Sequence, residues 1–230
     1  ILVASVAGEL RIQQLSHYCH ARWGIQPWVA QTAEEAVGIR CAYDDASRLG
    51  VDRWLAVLAA GTEPTLVADC GTAVTLDWVE PGQHHGGWIV PGVRLMQQSL
   101  LGRTAQIFDI GEADYELAVA ADTAPAVAGG AWMAVAGLLE RAARRVLHES
   151  DTPVRLLLCG GDGERLMPWL QQPPVTGSVA DDGATAVPGW QLQRDLVLAG
   201  LLILAEAHPP ESNSPHWLPA RNYSKLRRLA

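Results

Sequence analysis

Short apolar strands alternate with helical stretches from the first residues of the sequence onward, and this alternation limits the fold more than any other feature. Residues 1–7 form a β-rich run, residues 9–21 have helical spacing, and residues 28–30 form a second short strand. A strand–helix–strand order is typical of α/β proteins. Further helices are predicted over residues 51–60, 93–101, 126–148 and 195–207. The sequence therefore predicts an α/β fold.

Several predicted strands end in glycine turns. Residues 65–68 form an apolar strand that runs into D-C-G-T-A and then into a second strand, which predicts a β-hairpin with an acid at its turn. Residues 154–159 form a strand that ends in G-G-D-G. Residues 38–50 mix glycine, aspartate, serine and arginine and predict a loop. His84 and His85 are also assigned to a loop, because no acid or cysteine lies at metal-ligand spacing around them.

The composition excludes several classes of protein. The 230 residues are 49% hydrophobic and 18% charged, which suits a globular protein and not a disordered chain. The formal net charge of −8 argues against a nucleic-acid partner, and no apolar run reaches the ~18–20 residues that span a membrane. The four cysteines are scattered without a C-x-x-C pair, a pattern that predicts reduced thiols and a cytoplasmic location.

The sharpest local pattern is the run D-C-G-T-A-V-T that begins at Asp69. An aspartate after a buried strand can hold a cation, while Gly71 and Thr72 in the turn offer N–H groups and a hydroxyl to a phosphate. An ordinary hairpin turn explains the same residues. The pair Gly160 and Gly161 follows another predicted strand and suits an adenine or ribose lying over bare backbone, or a plain strand-to-helix turn.

The run R-L-G-V-D-R-W places two adjacent charges, Asp52 and Arg53, at the start of an apolar helix. A guanidinium at this position can bind a carboxylate through two parallel hydrogen bonds, and a carboxylate there can take a proton from a hydroxyl group. The alternative is an aspartate that caps the helix beside a solvated arginine, which is common at helix starts. Both interpretations stay open on this run alone.

Taken in order, these runs resemble the type III pantothenate kinase family. The matching runs, which extend to about residue 205, are G-I-R-C-A-Y, R-L-G-V-D-R-W, D-C-G-T-A-V-T-L-D, G-G-W-I-V-P-G, L-L-L-C-G-G-D and D-L-V-L-A-G-L. The resemblance implies two ribonuclease-H-like domains of the actin-like ATPase superfamily around a cleft, which we assign to residues 1–64 and 65–207. Residues 208–230 are rich in proline, serine, asparagine and basic residues, and we expect a mobile tail there.

The resemblance implies an activity as well as a fold. Members of this family phosphorylate pantothenate with ATP, the first step of coenzyme A synthesis, as homodimers that use Mg²⁺ and a monovalent cation, K⁺ or NH₄⁺. Asp52 then corresponds to the base that accepts the hydroxyl proton of pantothenate, and Asp69 to the ligand of the monovalent cation. Contacts to pantothenate are implied for Tyr43, Gly50, Val51, Asp52, Arg53 and, across the dimer interface, Thr123. Contacts to ATP are expected at Thr72, Gly71, Gly160 and Gly161.

The sequence departs from the family pattern in one respect, at the beginning of that pattern. Family members open with a strand and a D-x-G-N-[ST] turn that cradles the phosphates of ATP, and the 230 residues contain no such turn. We therefore expect an incomplete first domain, by truncation or by degeneration, and weak ATP binding with slow turnover by this chain alone. The missing turn leaves a second function open, that of a non-catalytic regulatory or transcriptional accessory protein on the same scaffold.

Overall fold

The structure, a computed structural model, describes residues 1–101, 119–171 and 189–209. These residues form a mixed α/β structure. The helices are α1 (Glu9–Trp23), α2 (Val51–Ala60), α3 (Val93–Leu101), α4 (Thr123–Glu149), α5 (Gly163–Leu170) and α6 (Leu196–Ala207). The strands are β1 (Leu2–Val3), β2 (Trp28–Val29), β3 (Glu35–Ala36), β4 (Ile39–Arg40), β5 (Thr65–Cys70), β6 (Ala73–Glu80), β7 (Gln83–Pro91), β8 (Arg155–Cys159) and β9 (Gln191–Leu192).

The described strands form one large and one small sheet. The large sheet has the order β3-β4-β7-β6-β5-β8-β9, and the small sheet pairs β1 with β2 in parallel. Two-residue turns join β5 to β6 and β6 to β7, so these three strands run antiparallel to one another. Strand β4 pairs in parallel with β7, with Arg40 facing Gln83, and β8 pairs in parallel with β9. The sheet therefore has a meander at its centre and short strands at both edges.

The chain divides into two compact units. The first consists of Ile1–Val67, Asp77–Gly86 and the described residues of Gln193–Ala230, and the second of Ala68–Leu76 and the described residues of Gly87–Leu192. Each unit contains part of strands β5, β6 and β7, because the division falls within these three strands.

The core of the first unit lies where α2 packs against α6. Trp54, Leu55 and Leu58 of α2 are buried, as are Leu201 and Leu204 of α6. Helix α2 is buried around almost its whole circumference, as expected for a helix whose residues 54–60 are all apolar. The two helices approach so closely that a side chain at Gly200 would overlap the main-chain carbonyl of Leu55.

The core of the second unit forms around α4, which contacts α3 and α5. Ala128, Trp132, Val135 and Leu139 are buried along one stripe of α4, at the spacing that brings side chains onto one helix face. The side chain of Asp122 accepts a hydrogen bond from the N–H of Thr123 at the start of this helix. The stripe explains why a 27-residue, alanine-rich segment is ordered as one helix.

The secondary structure confirms most of the sequence-based predictions. The bounds of α2 and α3 coincide with the predicted helices, and the hairpin between β5 and β6 is present. The loop prediction for residues 38–50 is wrong at β4, and the loop assignment of His84 and His85 is wrong because both lie in β7. A two-residue strand is too short to show an alternating pattern in sequence. The expected tail over residues 208–230 lies outside the described residues, apart from residues 208 and 209.

Two further expectations concern the environment of the chain. Among the described helices, none is both long enough and apolar enough to cross a membrane. All four cysteines are buried and free of disulfide bonds, in agreement with the scattered spacing of the thiols.

Candidate functional site

The first turn of α2 carries the two charges that the sequence singled out. Gly50 precedes the helix, and Asp52 lies half-buried in its first turn. Asp52 Oδ1 accepts a hydrogen bond from the main-chain N–H of Arg53 at 2.8 Å. The carboxylate also lies over Gly50, where an added Cβ would come within 2.6 Å of Asp52 Oδ1. The site therefore holds a carboxylate at the start of a helix, the positive end of the helix dipole.

Arg53 is buried and paired, so the interpretation of a solvated arginine beside a capping aspartate is wrong. The residue is only 7% exposed. Its Nε donates to Asp77 Oδ2 at 2.9 Å and its Nη2 donates to Asp77 Oδ1 at 2.6 Å, a two-pronged pairing of guanidinium and carboxylate. Its Nη1 donates to the hydroxyl of Tyr43 at 3.0 Å. The structure thus brings together Tyr43, Arg53 and an aspartate to which the sequence analysis gave no role.

A fourth residue, His84, completes this group. Its Nε2 lies 2.9 Å from Asp77 Oδ1, and its Nδ1 accepts the main-chain N–H of Ala42 at 3.5 Å. Because Nδ1 is the acceptor, the ring proton is assigned to Nε2, from which it is donated to Asp77. The His84 ring lies nearly parallel to that of Tyr43, with 6.5 Å between their centres. We call Tyr43, Arg53, Asp77 and His84 the arginine cluster.

The charge of the arginine cluster is fixed by its pairing. Burial on its own lowers the pKa of the Arg53 guanidinium, but the hydrogen bonds and charge of Asp77, together with the Tyr43 hydroxyl, raise the pKa above its ordinary value. The Arg53 cation also lies against the Tyr43 ring, with its Cζ 5.9 Å from the ring centre. Arg53 therefore carries its positive charge at physiological pH.

The second unit holds the residues that the sequence assigned to phosphate and cation binding. Asp69 lies half-buried near the end of β5, and the turn between β8 and α5 approaches it closely. The N–H of Asp162 donates to the carbonyl of Cys70 at 2.9 Å. Gly160 has φ of +87°, and a Cβ there would collide with Asp69 Oδ1 and the Cys70 carbonyl. Only glycine fits there, so the main chain of this turn lies directly against the Asp69 carboxylate.

The turn between β5 and β6 presents the other expected ATP contacts. Gly71 donates its N–H to the carbonyl of Ala73 at 3.0 Å, and the carbonyl of Thr72 accepts the N–H of Gly92 at 2.9 Å. Thr72 itself is exposed, as is Gly161 in the neighbouring turn. The side chain of Thr72 is therefore presented to solvent while its main chain is held in place.

Burial near these turns changes the ionisation of three groups. It raises the pKa of the Asp162 carboxyl, although the charges of Arg165 and Arg94 oppose this effect. It raises the pKa of the Cys70 thiol to about 12, with help from the charges of Asp69 and Asp162. It also raises the pKa of the Cys159 thiol. Both thiols stay neutral at physiological pH and have no nucleophilic character there.

Two more of the expected site residues lie at the starts of helices. Thr123 is exposed in the first turn of α4, and Val51 is buried in the first turn of α2. Within the described ranges, no group of three or more His, Cys, Asp or Glu side chains is arranged to hold a metal ion. A cation at Asp69 would therefore draw on the carboxylate together with main-chain or ligand oxygens, the donors that hard cations prefer.

Sequence reasoning missed Asp77 and His84 as parts of a site. Asp77 is the last residue of the run D-C-G-T-A-V-T-L-D and lies 24 residues after Arg53. His84 lies seven residues after Asp77. No signal in the sequence marked the acid, because the alternation of Val74, Leu76 and Trp78 places Asp77 on the polar face of β6, whereas the structure buries it. An acid on the buried face of a strand indicates a buried partner.

The sequence of the chain is similar to known proteins over most of its length. The model of the type III pantothenate kinase family matches residues 1–145. A type III pantothenate kinase of Chromohalobacter salexigens is 41% identical over 63% of this chain, and the alignment covers 54% of the relative's own length. A type III pantothenate kinase of Xanthomonas oryzae pv. oryzae is 39% identical over 79% of this chain and 74% of its own length. The chain thus spans about half the length of the first relative and about three quarters of the second.

A solved structure shares the fold. The crystal structure of a conserved putative Baf family transcriptional activator from Campylobacter jejuni has a TM-score of 0.55 and 18% sequence identity, and the match covers 86% of this chain and 79% of that one. The family model and both sequence relatives describe kinases. The chain belongs to the type III pantothenate kinase family.

Proposed function

We propose that the protein phosphorylates pantothenate with ATP to give 4′-phosphopantothenate, the first step of coenzyme A synthesis. The match of the family model over residues 1–145 carries this proposal, because it includes Asp52, Arg53 and Asp69. The alternative of a non-catalytic regulatory protein is not favoured, since the sequence relatives are kinases by name.

In the proposed reaction Asp52 acts as the general base. Its carboxylate accepts the proton of the pantothenate hydroxyl, whose oxygen forms a bond to the γ-phosphorus of ATP while the bond from that phosphorus to the bridging oxygen breaks and ADP leaves. The half-buried position of Asp52 and its hydrogen bond from the Arg53 N–H support this role, because both hold the carboxylate in place.

Pantothenate contacts are proposed around the start of α2. Gly50 and Val51 offer main chain, while Tyr43 and Arg53 offer a hydroxyl and a cation to the pantothenate carboxylate. The hydrogen bond that joins Tyr43 to Arg53 supports their joint action. Thr123 is proposed to reach pantothenate across the interface of a homodimer, and its exposure at the start of α4 supports this role.

ATP is proposed to lie over the glycine turns of the second unit, with contacts from Gly71, Thr72, Gly160 and Gly161. Asp69 is proposed to hold a monovalent cation, K⁺ or NH₄⁺, and ATP to bring Mg²⁺. These cations offset the phosphate charge when they are bound. The close approach of the Gly160 turn to the Asp69 carboxylate supports a shared role for the two turns.

We further propose that the fold comprises two ribonuclease-H-like domains of the actin-like ATPase superfamily around a cleft, over residues 1–64 and 65–207. The likeness to the solved structure supports a shared overall fold. A cytoplasmic location is proposed, which the four disulfide-free cysteines support.

The replacement Asp52→Asn tests the proposed function. Pantothenate-dependent release of ADP is measured for the 230-residue chain and for a form preceded by the D-x-G-N-[ST] segment of a relative. Loss of a general base is expected to lower kcat by about 10²–10⁴-fold with little change in pantothenate affinity. Asp151→Asn, which removes one exposed carboxylate, is the matched control and is expected to keep full activity. Full activity of Asp52→Asn would eliminate this residue as the base.

A further inference from the structure

Two buried polar residues lie outside every role assigned so far. Asp77 is 2% exposed and His84 is fully buried. Together with Arg53 they make up three of the four buried polar or charged residues that the described part of the chain contains. Burying an ionised pair carries a large desolvation cost, and apolar residues of the same volume are often equally stable. Stability alone therefore does not account for this group.

The geometry assigns each of the two residues a task. Asp77 engages the Nε and Nη2 edge of the guanidinium with both of its oxygens. His84 donates to Asp77 Oδ1, the same oxygen that accepts from Arg53 Nη2, and its other nitrogen is held by the main chain of Ala42. The backbone of one loop thus orients the imidazole, the imidazole orients the carboxylate, and the carboxylate orients the guanidinium.

This arrangement determines which donors of Arg53 a ligand can use. A guanidinium has five N–H donors, and the bonds to Asp77 and Tyr43 use the Nε–H, one N–H of Nη2 and one of Nη1. Within the described residues, one N–H remains on each Nη nitrogen. The two oxygens of a carboxylate match such a pair of donors. The cluster therefore presents the cation in one fixed orientation.

We propose that Asp77 and His84 are positioning residues that orient Arg53 for the carboxylate of the phosphate acceptor. This inference rests on the proposed function, because that function supplies an acceptor with a carboxylate. Asp77 acts through Arg53, and His84 acts through Asp77. Neither residue touches the acceptor.

The test measures binding of two ligands by calorimetry in the absence of ATP: pantothenate, and the analogue in which a primary alcohol replaces the carboxylate. Asp77→Asn is expected to weaken pantothenate binding about 10- to 100-fold and to leave binding of the analogue unchanged. His84→Phe keeps the charges of Asp77 and Arg53 and a ring beside Tyr43, and it is expected to weaken pantothenate binding about 3- to 10-fold. If Asp77→Asn does not fold, His84→Phe carries the test.

His85→Phe is the matched control. His85 is the next residue of β7 but is exposed and pairs with Glu80, so pantothenate binding is expected to match that of the unchanged protein. A second readout is the NMR signal of the Arg53 Nε–H, which is expected to exchange slowly with water in the unchanged protein and rapidly in Asp77→Asn.

The outcomes separate the inference from the proposed function. Equal loss of affinity for pantothenate and for the alcohol, or no loss for either, overturns the inference. So does an unchanged protein that binds both ligands equally well. If pantothenate binds with the expected dependence on Asp77 but no ADP is released, the inference stands and the proposed function fails.

Discussion

The two compact units build their candidate sites by different means. In the first unit four side chains, Tyr43, Arg53, Asp77 and His84, pair with one another in a buried cluster. In the second unit the glycine turn between β8 and α5 brings main chain against the carboxylate of Asp69. A site made of side chains depends on partners that are distant along the chain. A site made of turns depends on local backbone conformation, so the two should respond to different substitutions.

The largest effect is expected where one member of the buried pair is removed. Arg53→Met leaves the Asp77 carboxylate buried without its counter-charge, which is expected to cost about 3–5 kcal/mol in the free energy of unfolding, measured with urea. The double variant Arg53→Met/Asp77→Leu is expected to cost less than Arg53→Met alone, because no uncompensated charge remains. The exposed Arg40→Met serves as control, with a change within about 0.5 kcal/mol. A double variant that loses the sum of the two single losses contradicts this account.

A smaller but still large effect is expected from the backbone-built site. Gly160→Ala places a Cβ against Asp69 and Cys70 at a residue with φ of +87°, so strain and overlap together are expected to cost about 2–4 kcal/mol. The next residue is an internal control, because a Cβ at Gly161 meets nothing within 4 Å and its φ is not positive. Gly161→Ala is expected to stay within about 0.5 kcal/mol in the same urea experiment. Equal losses for the two variants would show that the close approach is not what requires glycine.

The smallest effect concerns pH. The pKa of the buried Cys70 thiol is raised to about 12, whereas an exposed thiol titrates near 9.0. The unfolded state therefore loses its proton first, so the contribution of this thiol to stability is fully present below about pH 9 and is lost as the pH rises toward about 12. Between about pH 8 and about pH 10.5, Cys70→Ala is expected to lose less stability in urea than the unchanged protein does. Parallel pH profiles of the two proteins would rule out a contribution from Cys70.

The difference between the turn-built site and the side-chain cluster explains how much of the structure could be predicted from the sequence. The hairpin turn at Gly71 and Thr72 and the turn at Gly160 were predicted because glycine after an apolar strand marks a turn locally. The bounds of α2 were predicted because a mostly apolar run lies between two glycines. The resemblance to the kinase family, carried by those same runs, was confirmed by comparison with known proteins.

The arginine cluster could not be predicted in the same way. Whether Arg53 is solvated or buried depends on Asp77, and the pairing of the two follows from how strands and helix assemble. His84 was assigned to a loop because no acid or cysteine lies at metal-ligand spacing around it in the sequence. Its hydrogen-bond partners are the main-chain N–H of Ala42 and the carboxylate of Asp77. The roles of Asp52 as a base and of Asp69 as a cation ligand stay predictions.

The close packing at Gly200 has a consequence for the timing of synthesis. Helix α2, which carries Asp52 and Arg53, packs against α6, and the contact between Leu55 and Gly200 joins residues 145 positions apart. A ribosome adds about 5–20 residues each second, so α2 waits roughly 7–30 s between its own translation and that of the helix that covers it. During that interval the apolar surface of α2 is exposed to chaperones, and α2 is covered only after nearly all of the other described helices have been made.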